Sequence, residues 1–143
     1  MSKTFQLTVL SAERKLYSGE TVSLTAPTEM GEITILADHL ALISNLHAGE
    51  LVISAANGKT DWLFVSGGIL EFTSENECRV LADVAERVDE IDEKAVQEAR
   101  ETAQKIIEAA KSEPEVAAAK AALLHSIMKL RIAEKVRRKR SKR

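Results

Sequence analysis

The run Leu51-Val52-Ile53-Ser54-Ala55-Ala56-Asn57-Gly58-Lys59-Thr60-Asp61-Trp62-Leu63-Phe64-Val65 decides how the first part of the chain is read. Two apolar stretches rich in β-branched and aromatic residues flank an Asn-Gly pair. That is the strongest short hairpin signal, because both turn residues tolerate positive φ. Working outward, Phe5, Leu7 and Val9 alternate with Gln6 and Thr8, and Val22, Leu24 and Ala26 alternate with Thr21, Ser23 and Thr25. Ile33 and Ile35 flank Thr34. A period of two puts each apolar set on one sheet face. Downstream, Ile69-Leu70-Glu71-Phe72 and Val80-Leu81-Ala82 are separated by a polar turn at Ser74–Asn76. Short strands punctuated every ~8–12 residues predict an antiparallel β-sandwich or barrel.

Composition changes near Val88. All six glycines precede position 69, and from Asp89 onward there is neither glycine nor aromatic residue. Residues 1–88 carry net charge −6 and residues 89–143 carry +4. Glycine-free Ala/Glu/Lys sequence suits helix. Ile91, Ala95, Val96, Ala99, Ala103, Ile106, Ile107 and Ala110 recur at spacings of three and four, as one helix face requires. Asp89 is the expected N-cap of this first helix. Lys111-Ser112-Glu113-Pro114 breaks it, and Ser112 with Glu115 forms a capping box for a second helix bearing Val116, Leu123, Leu124, Ile127, Met128 and Leu130. The short connection predicts an antiparallel hairpin of two helices, each of about 22 residues and ~33 Å. Its eleven alanines favour helix but bury little area, so the seam is expected to be weak. The fold expected is therefore sequential α+β: a β-sandwich or barrel over 1–88 and a helical hairpin over 89–143.

Candidate chemistry is sparse. With 143 residues, one cysteine and three dispersed histidines, the chain offers no disulfide framework and no metal-ligand spacing. No phosphate-loop, dinucleotide-binding, zinc-protease or nucleophile-elbow motif is present. Gly67-Gly68 reads as a tight bend between strands, and Cys78, in alternation with Val80, as a buried structural thiol. Asp38-His39 lacks a partnered nucleophile. No apolar run approaches the ~20 residues of a membrane span, and the start MSKTFQLTVL carries no secretory signal pattern. Lys129–Arg143 holds nine basic residues and one acidic. Such a run suits an acidic protein surface, nucleic acid, anionic lipid or simply a solvated helix end. No aromatic residue interleaves it as a stacking platform.

The order of Val65-Ser66-Gly67-Gly68-Ile69-Leu70-Glu71, Val80-Leu81-Ala82-Asp83-Val84-Ala85-Glu86-Arg87 and Leu130-Arg131-Ile132-Ala133-Glu134 resembles the epsilon-subunit family of bacterial F-type ATP synthases. The early marks Val9-Leu10-Ser11-Ala12-Glu13 and Tyr17-Ser18-Gly19 agree with it. The resemblance implies a non-catalytic central-stalk rotor subunit, coupling proton-driven rotation to ATP synthesis, with no catalytic residue and no cofactor of its own. It implies the gamma subunit and the c-ring subunits as partners of the sandwich, and the alpha and beta subunits as partners of the hairpin, which would restrain ATP hydrolysis. It further implies no nucleic acid, attachment to the membrane only through partners, and a peripheral place on the cytoplasmic face of the bacterial inner membrane.

Residue by residue, the family's ring-facing loop is matched by Gly31-Glu32-Ile33-Thr34-Ile35-Leu36-Ala37-Asp38-His39. This makes Glu32 the c-ring contact and His39 the gamma contact. Thr34 replaces a glycine and Ala37-Asp38 replaces Pro-Gly, so a reshaped turn is expected, with Asp38 accepting backbone hydrogen bonds in glycine's place. Glu86 and Asp92 match an ATP-binding pattern found in some members. Ala95 stands where that pattern has arginine, and Lys94, about 100° around the helix, does not replace it. ATP binding is therefore expected to be weak or absent. Arg131, Arg137, Arg138 and Arg140 form the expected inhibitory basic tail.

Overall fold

The computed structural model describes residues 2–142. The chain forms two compact units, one ending at Arg87 and the other beginning at Val88.

The first unit contains β1 (Phe5–Ser11), β2 (Lys15–Thr28), β3 (Gly31–Leu36), β4 (Leu42–Leu46), β5 (Gly49–Ala55), β6 (Thr60–Val65), β7 (Gly68–Phe72), β8 (Glu77–Ala82) and β9 (Ala85–Arg87). Hydrogen-bonded neighbours follow the order β1-β8-β7-β4-β2-β5-β6-β9, with β3 beside β2 and β1 also beside β2. The 14-residue β2 joins the two layers of this sandwich. Lys15–Thr21 pair with β1, whereas Ser23–Thr28 pair with β3 and Thr21–Thr25 with β5.

The handover occurs at a bulge. Thr21 faces Ala55 and Ser23 faces Ser54, leaving Val22 as the extra residue. The bulge resets the alternation, so Thr21, Leu24 and Ala26 are buried while Val22 is only half-buried. Val22 therefore does not share the core face expected from simple period two. The buried Thr21 hydroxyl is satisfied by donating to the Gly19 carbonyl at 3.2 Å.

The sheet pairs are antiparallel with one exception. β1 and β8 run parallel, Gln6–Ser11 against Glu77–Ala82. Between the layers lie Phe5, Leu7, Leu24, Ile35, Leu51, Ile53, Leu63, Leu70 and Phe72, all essentially inaccessible to water. Each such side chain contributes roughly 1.5–3 kcal/mol by leaving water. Cys78 lies in this core, and burial, reinforced by the nearby Glu71 carboxylate, pushes its thiol up to about 12.

The Asn57-Gly58 turn connects β5 and β6 as expected, but only Gly58 takes positive φ, at 88°. Gly58 N–H donates to Ala55 O at 3.1 Å and Ala55 N–H to Lys59 O at 2.9 Å. This closes a three-residue loop, in which Asn57 serves through its side-chain oxygen accepting from Lys59 N–H. Gly67 and Gly68 make the expected bend, at φ 136° and 145°. A Cβ on Gly68 would lie 2.1 Å from the Leu81 carbonyl oxygen, so any side chain there collides with β8.

The second unit begins with a 3₁₀ turn (Val88–Glu90) and continues as α1 (Glu93–Ala109) and α2 (Glu113–Ser141). The N-cap of α1 is Asp92, not Asp89. Its carboxylate accepts from the Lys94 and Ala95 N–H groups, both at 3.1 Å, while Asp89 falls in the 3₁₀ turn. Ser112 caps α2 by accepting from Glu115 N–H at 3.4 Å, with Pro114 in the first turn. The helices are unequal, 17 and 29 residues rather than about 22 each. α1 is bounded by its cap and the Ser-Glu-Pro break, whereas nothing after Pro114 interrupts α2.

The seam mixes small groups with two branched side chains. Ala103, Ala119, Ser126, Ile132, Ala133 and Val136 are buried, but Ile106 and Leu124, expected inside, are largely exposed. Ala99, Ala103, Ile106, Ala118, Ala119 and Ala122 instead line an open apolar groove of about 490 Å³.

Gly68→Ala is expected to destabilise the sandwich by about 2 kcal/mol or more, since φ and space both exclude a side chain. Gly58→Ala, strained at φ 88° but with no atom near its Cβ, should cost less. Urea denaturation of the two variants orders them, and equal midpoints would contradict the close approach at β8.

Candidate functional site

Two projections of the sandwich carry the residues singled out from sequence. The first is the tip between β2 and β3. Thr28 pairs with Gly31 across a two-residue connection, and Gly31 reaches φ 110°. The Thr28 hydroxyl oxygen accepts from Met30 N–H at 3.3 Å, which tightens the turn. Glu29 N–H donates to Asn45 O and Asn45 Nδ2 to Glu29 Oε1, both at 3.3 Å, bracing the tip against β4. Met30 is consequently 94% exposed, and Glu32, opposite Pro27, is exposed beside it.

The second projection is the turn Ala37–Ala41 at the other end of β3. Asp38 adopts φ 64°, the left-handed conformation that suits glycine. The expectation that Asp38 accepts backbone hydrogen bonds is not met. Its Oδ1 accepts from Asn76 Nδ2 and its Oδ2 from Lys3 Nζ, each at 2.8 Å. Its own N–H donates to Asn76 Oδ1 at 2.6 Å. The amide of Asn76 first, then the Lys3 ammonium, hold the Asp38 carboxyl below its ordinary range, and Asp38 raises the Lys3 pKa in return.

His39 N–H donates to Leu36 O at 3.3 Å, and its Nδ1–H donates to Leu40 O at 2.7 Å. Its ring meets Phe72 edge-on at 5.8 Å, and Phe72 meets Phe5 likewise at 5.5 Å. His39 is thus seated on the rim of the core, with Leu40 84% exposed beside it. Glu32 and His39 are not neighbours. The strand between them separates them by more than ~13 Å, at ~3.3 Å per residue.

The remaining candidates fall apart in instructive ways. Glu86 lies in β9, opposite Phe64 in β6, and Asp92 is the cap of α1. One Asp92 oxygen is therefore already engaged by two N–H groups. The four arginines of the basic end have different neighbours. Arg137 pairs with Glu93, and Arg140 Nη1 with Asp89 Oδ1 at 2.6 Å, tying the end of α2 to the start of the hairpin. Arg138 pairs with Glu134 at 2.7 Å. Arg131, Lys135, Arg138, Lys139 and Lys142, with Glu134 among them, form a mostly cationic face. Arg143 lies outside the described residues. No described helix is long and apolar enough to cross a membrane.

Known proteins place these surfaces in a family. Residues 4–88 match the family described as ATP synthase, Delta/Epsilon chain, beta-sandwich domain. The ATP synthase epsilon chain of Nitrosococcus oceani is 36% identical over 139 residues, covering 97% of this chain and 99% of that one. That of Acidithiobacillus ferridurans is 39% identical over 137 residues, covering 96% of each. The chain belongs to the ATP synthase epsilon chain family.

Solved structures agree in fold. A chain of the Euglena gracilis mitochondrial ATP synthase, in a structure of its OSCP, F1 and c-ring, superposes with TM-score 0.77 at 23% identity, over 92% of this chain and 81% of that one. A chain of the Tetrahymena thermophila mitochondrial ATP synthase central stalk and c-ring gives 0.62 at 17%, over 92% and 98%.

Within this epsilon-family chain, sequence reasoning located Asp38 and His39 but missed Asn76 and Lys3. Asn76 sits in a turn and takes φ 58°, as asparagine readily does, but its partner is 38 residues away. Linkage gives the pH dependence of this network. Because the folded Asp38 pKa lies below 3.8, its contribution is complete above that value and is lost as pH falls through the folded pKa. Because the folded Lys3 pKa lies above 10.5, its contribution is complete below that value and is lost as pH rises through the folded pKa. Carboxyl NMR should place the Asp38 midpoint below 3.8, and Asn76→Ala should raise it; an unmoved midpoint would contradict the network.

Proposed function

We propose that this chain is a non-catalytic central-stalk subunit of a proton-translocating F-type ATP synthase, coupling rotation of the c ring to ATP synthesis and restraining ATP hydrolysis through its helical hairpin. The observation that carries the reading is the near full-length relationship to ATP synthase epsilon chains, together with a sandwich followed by two helices. In this reading the enzyme's chemistry belongs to the alpha and beta subunits, and the present chain acts mechanically.

The two projections suit different partners. The Met30 tip carries an exposed thioether and the Glu32 carboxylate on a braced two-residue turn, a compact foot for the loops of the c-ring subunits. The turn bearing His39 and Leu40 offers an imidazole and an exposed apolar side chain, a surface suited to the gamma subunit. Attachment to the cytoplasmic face of the bacterial inner membrane then runs through these partners.

The hairpin has the physics of a detachable brake. Its helices are individually capped, while their seam is lined by alanine. The ion pairs that close it, Arg140–Asp89 and Arg137–Glu93, are more than 40% exposed at every member and add little stability, on the order of 0–1 kcal/mol each. An acidic surface on alpha or beta can therefore compete for Arg137 and Arg140, while Arg131 and Arg138 already lie on a cationic face. Glu86 and Asp92 fit at most a weak ATP contact, since Asp92 is engaged as a helix cap.

Three measurements test this. The chain should capture gamma from solubilised membranes, and recovery without any ATP synthase subunit would refute the rotor assignment. Deleting residues 129–143 should raise ATP hydrolysis by the assembled complex, and unchanged hydrolysis would refute the brake. Calorimetric titration of ATP should give no micromolar binding.

A further inference from the structure

We propose that Asn76 and Lys3 are positioning residues for partner binding: acting through Asp38, they hold the turn that presents His39 and Leu40 in the geometry its partner receives. The inference rests on the reading of that partner as the gamma subunit.

The motivating observation is a pair of left-handed residues that lock one another. Asp38, at φ 64°, and Asn76, at φ 58°, are the only described non-glycine residues with positive φ. They lie in different turns, one after β3 and one before β8, yet they exchange two hydrogen bonds. Asp38 N–H donates to Asn76 Oδ1 at 2.6 Å, and Asn76 Nδ2 donates to Asp38 Oδ1 at 2.8 Å. The second carboxylate oxygen takes Lys3 Nζ at 2.8 Å, from the segment before β1. Three separate stretches of chain thus converge on one exposed carboxylate.

The bracket is itself anchored. Asn76 O accepts from Gln6 N–H in β1 at 3.0 Å, and Thr73 N–H donates to Glu77 O at 2.9 Å across the same turn. On the far side of the turn, His39 is fixed by its bond to Leu40 O and by Phe72. Asp38 is therefore clamped to the β7–β8 turn immediately before the two residues left on the surface.

The arrangement contributes little to the core. Lys3 and Asp38 side chains are 80% and 53% exposed, in the range where ion pairs add almost nothing to stability. Its consequence is order in a projecting turn. A turn ordered before the partner arrives loses less conformational freedom on binding, which raises affinity without adding a contact. Asp38 also explains how the turn keeps a left-handed backbone without glycine, since its side chain is fully engaged there.

The test measures binding of the full chain to purified gamma by surface plasmon resonance at fixed ionic strength, with melting temperature recorded in parallel. Asn76→Ala removes the bracket. Asn76→Asp sets a second carboxylate against Asp38, and combining it with Asp38→Asn exchanges the two partners and restores the pair. Each single Asn76 variant should weaken binding about ten-fold, a loss of ~1.4 kcal/mol, while melting barely changes for Asn76→Asp and falls by a few degrees for Asn76→Ala, which is strained at φ 58°. The exchanged pair should recover most of the affinity, a rescue that simple loss of folded protein does not produce. Lys3→Gln, which leaves both turns intact, should weaken binding less and keeps the test open should Asn76 variants fold poorly.

Wild-type affinity in every variant would overturn the inference and leave the gamma reading standing, as would failure of the exchanged pair to rescue. Failure of the unmodified chain to bind gamma would overturn the reading and the inference with it.

Discussion

The sandwich depends on one strand belonging to two layers. β2 hydrogen-bonds to β1 through its first half and to β3 and β5 through its second, and the bulge at Val22 turns it from one to the other. Without that turn, Leu24 and Ala26 could not share an interior with Phe5 and Leu7. The parallel β1–β8 pair then fixes the layer containing β7 and β4. Once the layers are tied, the ends of β3 become two separate projections, one at Met30 and one at Leu40. These two projections are consequences of how β2 is shared.

The two units use opposite physics. The sandwich buries large branched and aromatic side chains without exposure, so it is a rigid base. The hairpin draws its order from within each helix: caps at Asp92 and Ser112, alanine propensity, acidic first turns and, in α2, a basic last turn. Its interhelical contacts are small and its ion pairs lie in solvent. The sandwich is thus held by its interior, and the hairpin by the order within each helix.

How far the sequence could be read varied with the range of the interaction responsible. Strands β1, β3 and the second half of β2 were legible from alternation, β5 to β8 from apolar runs bounded by turn residues, and the Ser112 cap from its Glu-Pro neighbourhood, because those signals are local. β4 was not, since Ile43 points outward at 73% exposure and Ser44 interrupts the apolar set. β9 was not, since Ala85-Glu86-Arg87 has no strand preference. It is held by pairing to β6 and by Arg87, whose guanidinium donates to Leu16 O at 2.7 Å and faces Asp61. The first helix cap lies three residues later than expected because Asp89 and Asp92 have the same chemistry, and Asp89 pairs instead with Arg140 near the C-terminal end of α2.

By itself the sequence determined the sandwich-then-hairpin organisation, the lack of catalytic motifs and the membership of a family, because periodicity, turn chemistry and residue order are written along the chain. Only the tertiary structure decided that Asp38 meets Asn76 and Lys3, that Val22 is a bulge, that β1 runs parallel to β8, and that the basic end is divided between internal ion pairs and a cationic stripe. Those features, the stripe apart, join residues tens of positions apart. A chain announces its local preferences, but which distant groups come within hydrogen-bonding reach is set by how the packed layers close.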